Sequence, residues 1–275
     1  MTARRVFASL NTVAVAVVVA ASLSGCGSAD SSGSPTPTTT TTPTAAMKRL
    51  AARYAHYDIV AYDSTDLKNL IISFGFTDLY VKDGELRAQE SFCHADQVTD
   101  QPIQTFISDA ATSAIKPVST AVTLSTKDGQ VQIHRPETPT GIGIRLEDPA
   151  NEKLPTDPKD PRIADDDRDG KPGITVRVEA GTGLLGELYI ARRERFAYDV
   201  IEQADRSLIG TVTDKSEQLI VGATNDLLLT KNEWTQHPDL SKSPIILKPV
   251  NANWDCKKLM ASAKDLFPAQ PTVDW

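Results

Sequence analysis

Two Asp-Gly dipeptides set between alternating apolar and polar residues constrain this chain more than any other feature. In the first, Leu79-Tyr80-Val81-Lys82 leads into Asp83-Gly84 and leaves through Glu85-Leu86. In the second, Val122 and Leu124 precede Lys127-Asp128-Gly129-Gln130, and Val131 and Ile133 follow. A two-residue turn with both central residues at positive φ matches the twist of paired strands, and Asp-Gly adopts it at little cost, so each segment predicts a β-hairpin. Further strand-like runs occupy residues 57–62, 142–146, 174–178, 187–191, 208–212, 218–223 and 244–250. Short strands with frequent turns predict an all-β fold, an antiparallel β-barrel or a sandwich. Helical spacing shows weakly at 103–115. It is clearer at 254–267, where Trp254, Leu259 and Leu266 suggest one apolar stripe, Asn253 can cap the start and Pro268 ends it, predicting a short C-terminal helix.

The amino-terminal segment has a different character. Arg4 and Arg5 precede an uncharged run from Val6 to Gly25, centred on the apolar stretch from Val13 to Ala21. The apolar part is shorter than the ~20 residues a spanning helix needs, and it ends in Leu23-Ser24-Gly25-Cys26. That tetrapeptide resembles the bacterial lipobox. The resemblance implies a leader over 1–25, removed before Cys26, and acyl chains on the Cys26 sulfur and the new amino terminus. Such multiple chains anchor stably, so the membrane is one expected partner and the cell envelope the expected location. Gly27 in place of an aspartate favours the outer membrane in a Gram-negative source, and Arg4-Arg5-Val6-Phe7 is similar to the twin-arginine export signature. Residues 26–47 are nearly all Ser, Gly, Pro, Thr and Ala and read as a tether unable to bury enough apolar surface to fold. Residues 48–275 then form one mainly-β domain.

Charge and motif content exclude several classes. The formal charge of −7 becomes more negative when the leader takes Arg4 and Arg5 with it, which argues against nucleic acid as a partner. Gly181-Thr182-Gly183-Leu184-Leu185-Gly186 fits the dinucleotide pattern G-x-G-x-x-G. The run Glu187-Leu188-Tyr189-Ile190-Ala191 after it reads as a strand where a helix is required, so the glycines are read as a hairpin turn with a bulge and no nucleotide is expected. No nucleophile elbow, zinc-protease helix, phosphate loop or C-x-x-C is present, and His56, His94, His134 and His237 are too scattered for a zinc set. No catalytic residue is assigned. With Cys26 carrying lipid, Cys93 and Cys256 form an even pair in an exported protein, which predicts a disulfide fastening the C-terminal helix to the sheet.

The segment richest in chemistry is Asp165-Asp166-Asp167-Arg168-Asp169-Gly170-Lys171-Pro172-Gly173. Carboxylates at alternate positions, followed by a glycine that can turn sharply, wrap oxygens around a hard cation, and calcium takes six to eight. Asp165, Asp167, Asp169 and the backbone carbonyl of Lys171 are the candidate ligands. An EF-hand would place a glutamate where this chain has Val176, so further ligands would have to come from Asp157, Asp160, Glu179 or water. Calcium is the expected cofactor, in a structural role within the long connection 147–172.

Asp160-Pro161-Arg162, the acidic loop, the glycine-containing hairpin, Ser216-Glu217-Gln218-Leu219-Ile220-Val221-Gly222-Ala223 and Cys256 together resemble a group of exported bacterial proteins without assigned activity. That likeness spans most of residues 90 to 256 and implies a closed antiparallel barrel of the lipocalin type. The expected function is a non-catalytic binding or structural module of the envelope that holds a small apolar ligand. The alternative is an envelope hydrolase with a carboxylate active site. A deep polar cleft with strongly perturbed carboxylates would favour the hydrolase, and an apolar interior cavity would favour the carrier.

Overall fold

The computed structural model describes residues 44–64, 67–181, 183–229 and 234–275. The leader, the lipobox at Cys26 and nearly all of the tether lie outside the described residues. The first described element, α1 (Ala45–Leu50), begins inside the span expected for the tether, with Thr44 as its N-cap. After it come β1 (Ala52–Asp63), β2 (Lys68–Lys82), β3 (Glu85–Thr99), β4 (Ile103–Ile107), α2 (Asp109–Ser113), β5 (Thr120–Ala121), β6 (Thr123–Lys127) and β7 (Gln130–Ile142). Then follow β8 (Ile174–Ala180), β9 (Gly183–Glu202), β10 (Leu208–Asp214), β11 (Glu217–Ala223), β12 (Thr235–Gln236), β13 (Pro244–Val250) and α3 (Cys256–Leu266). Both Asp-Gly turns form as expected, with Asp83, Gly84, Asp128 and Gly129 all at positive φ.

The strands make one antiparallel sheet that curls onto itself. β1 pairs with β2 and β2 with β3. β5 takes the free edge of β3 at Arg87 and Ala88, the Val122 amide donates to Leu86 O at 3.0 Å, and the chain runs straight on into β6, which pairs with β7. β7 lies on β9, β9 on β10, β10 on β13 and β13 back on β1. At this end the strands therefore follow one another in chain order around a closed antiparallel ring. Leu50, Tyr54, Leu79, Leu86, Ile133, Tyr198, Val200, Leu208 and Leu247 fill it as one apolar core, each almost fully buried. Burial of one such side chain contributes ~2 kcal/mol, so this floor, the largest of the apolar clusters, is a main source of the barrel's stability.

The opposite end is built differently because β9 is 20 residues long and carries two strands on each edge. Ile142 of β7 faces Arg192, and Ile174 of β8 faces Ile190, so β7 and β8 are two halves of one strand row. Residues 143–173 leave the sheet between them. On the other edge, β10 ends with Asp214 opposite Phe196 and β11 begins with Glu217 opposite Arg193 in unbroken register. β4 extends the wall beside β8, and Thr99 and Thr105 tie it to β3 through Ile103 O and Gln97. Among the described residues β11 and β12 do not pair with each other, so the wall is open between them. The result is a barrel closed and packed at one end and open at the other.

Outside, α3 lies on β1 and β2. Leu259 and Phe267 pack there with Tyr57 and Phe74, the Tyr57 and Phe267 rings stacking 5.1 Å apart. The disulfide joins Cys93 to Cys256, with Cα atoms 5.4 Å apart, and pins the first turn of α3 to β3. Cys93 stands where the β2–β3 register shifts. There Gly75 is obligatory, because a Cβ on it would lie 2.2 Å from Ser91 O.

Three local expectations need correction. Residues 103–115 are not one helix. The β-branched Ile103, Thr105 and Ile107 alternate in β4, and Ser108 then caps the short α2 by accepting from the Ala111 amide. The strand expected over 142–146 stops at Ile142, because Gly143 at φ +67 turns the chain out of the sheet. The N-cap of α3 is Asp255, accepting from Lys258 N, and not Asn253, which leaves Trp254 ahead of the helix.

Candidate functional site

The acidic loop forms one side of the 143–173 excursion, whose base is pinched against β9. A Cβ on Gly173 would lie 2.3 Å from Ile190 O, and one on Gly143 2.7 Å from the same atom. Asp166 closes the base by accepting from Gly143 N at 2.6 Å and pairing with Arg145. Asp165 accepts from the amides of Asp169 (3.1 Å) and Gly170 (2.9 Å). Asp169 accepts from Lys171 N at 2.9 Å and the Thr175 hydroxyl at 2.5 Å. Asp167 accepts from Thr175 N at 2.9 Å through Oδ2, while its Oδ1 is buried without a hydrogen-bond partner. Partial burial, seconded by the charges of Asp169 and Asp165, pushes the Asp167 carboxyl above the usual range.

One carboxylate oxygen from each of Asp165, Asp167 and Asp169 lies within 4.8 Å of the others, a spacing that can hold a metal ion. Gly170, at φ +85, makes the expected turn. The Lys171 ammonium reaches Glu187 at 2.5 Å and stands 3.5 Å from Asp169. The auxiliary acids are not brought in. Asp157 and Asp160 brace their own turns, Asp160 with Arg162, and Glu179 pairs with Arg177.

A second site lies inside the barrel, above the packed floor. Alternation along β1 sends His56, Asp58, Val60 and Tyr62 inward, and along β9 Ile190, Arg192, Glu194 and Phe196. The interior holds an upper chamber of about 430 Å³ and a lower one of about 80 Å³, with Tyr62, Ile71, Ile107, Ile190 and Arg192 in the walls of both. Val176, Val178 and Leu188 line the upper chamber, and the exposed Gln218 and Thr235 stand at its outer end, on the two sides of the open seam. Such a volume is within the range of small-molecule sites.

The polar groups of the lower chamber are engaged to different degrees. Tyr62 donates to Asp214 at 2.6 Å, and Ser216 supplies its amide at 2.9 Å and its hydroxyl at 2.8 Å. Asp58 pairs with His56 Nε2 at 2.8 Å and with Ser73, and the other His56 nitrogen meets Thr77 at 2.7 Å. Glu90 and Arg135, deeper still, hold each other at 2.9 Å. Arg192 donates to Tyr62 at 3.0 Å and lies 3.6 Å from Glu194 and 3.8 Å from Asp214. Glu194 makes no hydrogen bond to any described residue; its nearest charge partner is Arg192. Burial, reinforced by Asp214 and Asp58 and opposed by Arg192, raises its carboxyl to about 7. Burial also raises Asp58, against the pull of His56.

None of these interior residues is singled out by the sequence, where the expected strand ends at Ala191 and Arg192 to Phe196 carry no assigned role. The histidines act separately: His94 bridges Asp109 and Asp96, His134 meets Asp199, and neither approaches His56 in a shared cluster. Cys93 is bound in the disulfide and offers no thiol. Among the described residues no helix is long and apolar enough to cross a membrane. Compared with protein-family models, curated proteins and solved structures, the chain matches none.

Proposed function

We propose that this is a lipid-tethered binding module of the cell envelope, a barrel that carries a small ligand with an apolar body in its interior. The observation that carries this reading is the unfilled chamber above a packed floor, with Ile71, Ile107, Val176, Val178, Leu188 and Ile190 in its wall, polar side chains towards its mouth and an open seam beside it. A barrel needed only for support gains stability by filling that space with side chains, as it does at the other end. The hydrolase alternative has less behind it. Two-carboxylate hydrolysis needs both acids free to meet substrate, whereas Asp58 and Asp214 are each held by protein partners and Glu194 alone is open. The lipobox resemblance supplies the tether through Cys26. The acidic loop has a structural part in this scheme: calcium on Asp165, Asp167 and Asp169, with the Lys171 carbonyl, would fix the 143–173 excursion where it leaves β9.

Calorimetric titration with hexanol, a neutral apolar probe, tests the carrier reading. The chain should bind hexanol, and Ile190→Trp, which fills the chamber, should abolish binding while thermal unfolding stays cooperative. A wild-type chain that takes up no probe, or a variant that binds as well, refutes it.

A further inference from the structure

Within that reading, the unsatisfied groups of the interior specify what kind of ligand it takes. Three carboxylates and one guanidinium line the lower chamber, and the acids are not equally engaged: Asp58 is paired with His56 and Asp214 is held by Tyr62 and Ser216, while Glu194 has only the Arg192 charge beside it. An anionic ligand would add to the excess. A neutral one would leave Glu194 with no hydrogen bond and only the Arg192 guanidinium, 3.6 Å away, to offset its burial. The second unsatisfied group is independent of the acids. Asn69, 2% exposed on β2, lines the upper chamber, and its Oδ1 has no hydrogen-bond partner. Both groups are acceptors. The orphan donors nearby, Arg192 Nε and Arg135 Nε, belong to guanidiniums already beside an acid, Arg192 3.6 Å from Glu194 and Arg135 2.9 Å from Glu90.

The geometry points to a small organic amine as the ligand, its ammonium in the lower chamber against the Glu194 carboxylate and its apolar body among Ile71, Ile107, Val176 and Leu188 in the upper one. An ammonium has three donors and no acceptor, which suits an enclosure whose free groups accept. Arg192 sets the position. It stays between Glu194 and Asp214, so the ligand reaches the carboxylate from the chamber side. Tyr62, donating to Asp214, keeps that acid engaged and leaves Glu194 to meet the ammonium.

Binding of a cation requires Glu194 ionised, so affinity follows its proton. The charged and titratable groups that face it are Arg192 on β9, Asp214 on β10, Asp58 on β1, Arg135 on β7, Glu90 on β3 and Lys116 after α2. Of these, Asp58 also titrates upward from the ordinary range, and it adds to the same trend.

The test compares hexylamine, hexanol and hexanoate by calorimetry on the full chain. At about pH 8 hexylamine should bind at least ~10-fold more tightly than hexanol, with hexanoate weakest; one charge-assisted hydrogen bond accounts for a factor of that size. Between about pH 8 and pH 5 the amine preference should shrink in the wild type, because a protonated glutamic acid no longer attracts the cation. Glu194→Gln should bring amine and alcohol to equal affinity while hexanol binding persists, and Asn69→Leu should leave the pH trend in place. Hexanol and hexylamine binding equally, or hexanoate binding best, overturns the amine assignment and leaves the carrier reading standing. Failure of all three probes overturns both. The wild-type pH trend decides the matter even if a variant does not fold.

Discussion

Glu194→Gln should stabilise the protein, and only above the acid range. An acid whose pKa rises on folding holds its proton more tightly in the native chain than in the unfolded one. From about pH 4.5 upward the unfolded chain releases it first, and stability falls until the native group also ionises near 7, after which the loss is constant. The gap between those two values corresponds to ~3 kcal/mol. About 25% of the Glu194 side chain is open to the chamber, so solvent there lowers the figure to ~1–3 kcal/mol. Glutamine has the same size and does not ionise. Its amide beside Arg192 adds a cost that does not vary with pH, so the slope is the quantity to measure. Urea unfolding of wild type and variant, followed by tryptophan fluorescence from about pH 4.5 to 8.5, should show the difference between them growing in favour of the variant and levelling near 7.5. Asp58, coupled to Glu194 and raised in the same direction, bends both curves, and its share of the difference has the same sign. A difference that is flat across this range would refute the assignment of an open, near-neutral carboxyl to Glu194.

The other expectations concern the frame around the site. Reducing the Cys93–Cys256 bond, which spans 163 residues, should cost ~2–5 kcal/mol and lower the melting temperature, and Cys93→Ser with Cys256→Ser should behave like the reduced chain. Excess calcium against chelator should raise stability by ~2.7 kcal/mol at a hundredfold over its Kd, roughly 5–11 °C in melting temperature; Asp165→Asn with Asp167→Asn and Asp169→Asn should remove that shift, and no shift in the wild type would reduce the loop to an acidic turn. Gly173→Ala and Gly170→Ala share a positive φ, but only the former drives a Cβ to 2.3 Å from Ile190 O, so Gly173→Ala should lose several kcal/mol in thermal unfolding and Gly170→Ala only ~1–2. Cys26→Ala should move the protein from the membrane fraction to the soluble one on fractionation.

What could be read from the sequence was local chemistry. Asp83-Gly84 and Asp128-Gly129 specify their hairpins because few dipeptides accept two positive φ values, and Pro268 ends α3 because it cannot continue a helix. The alternation of Asp165, Asp167 and Asp169 before Gly170 survived into the structure because it lies within a few consecutive residues, with Thr175 holding Asp167 and Asp169 from just beyond the turn. The interior site has no such signature. Alternation says that neighbouring residues face opposite ways, and pairing decides which way is in. Along β1 the apolar Tyr57, Ile59 and Ala61 turn outward because α3 covers that face, and His56 and Asp58 turn inward. Along β9 Arg193 and Arg195 turn outward to Glu217 and Glu137, and Arg192 and Glu194 face the chamber. Read one strand at a time, each of these stretches has the wrong side facing water. The conflict is greatest at the unfilled end of the barrel, while the filled end, from Leu79 to Leu247, is an apolar cluster with one buried ion pair, Glu90–Arg135, beside Tyr198. A sequence that satisfies local rules at one end and breaks them around a chamber at the other gives up stability there, and under the proposed carrier reading a ligand in the chamber would restore it.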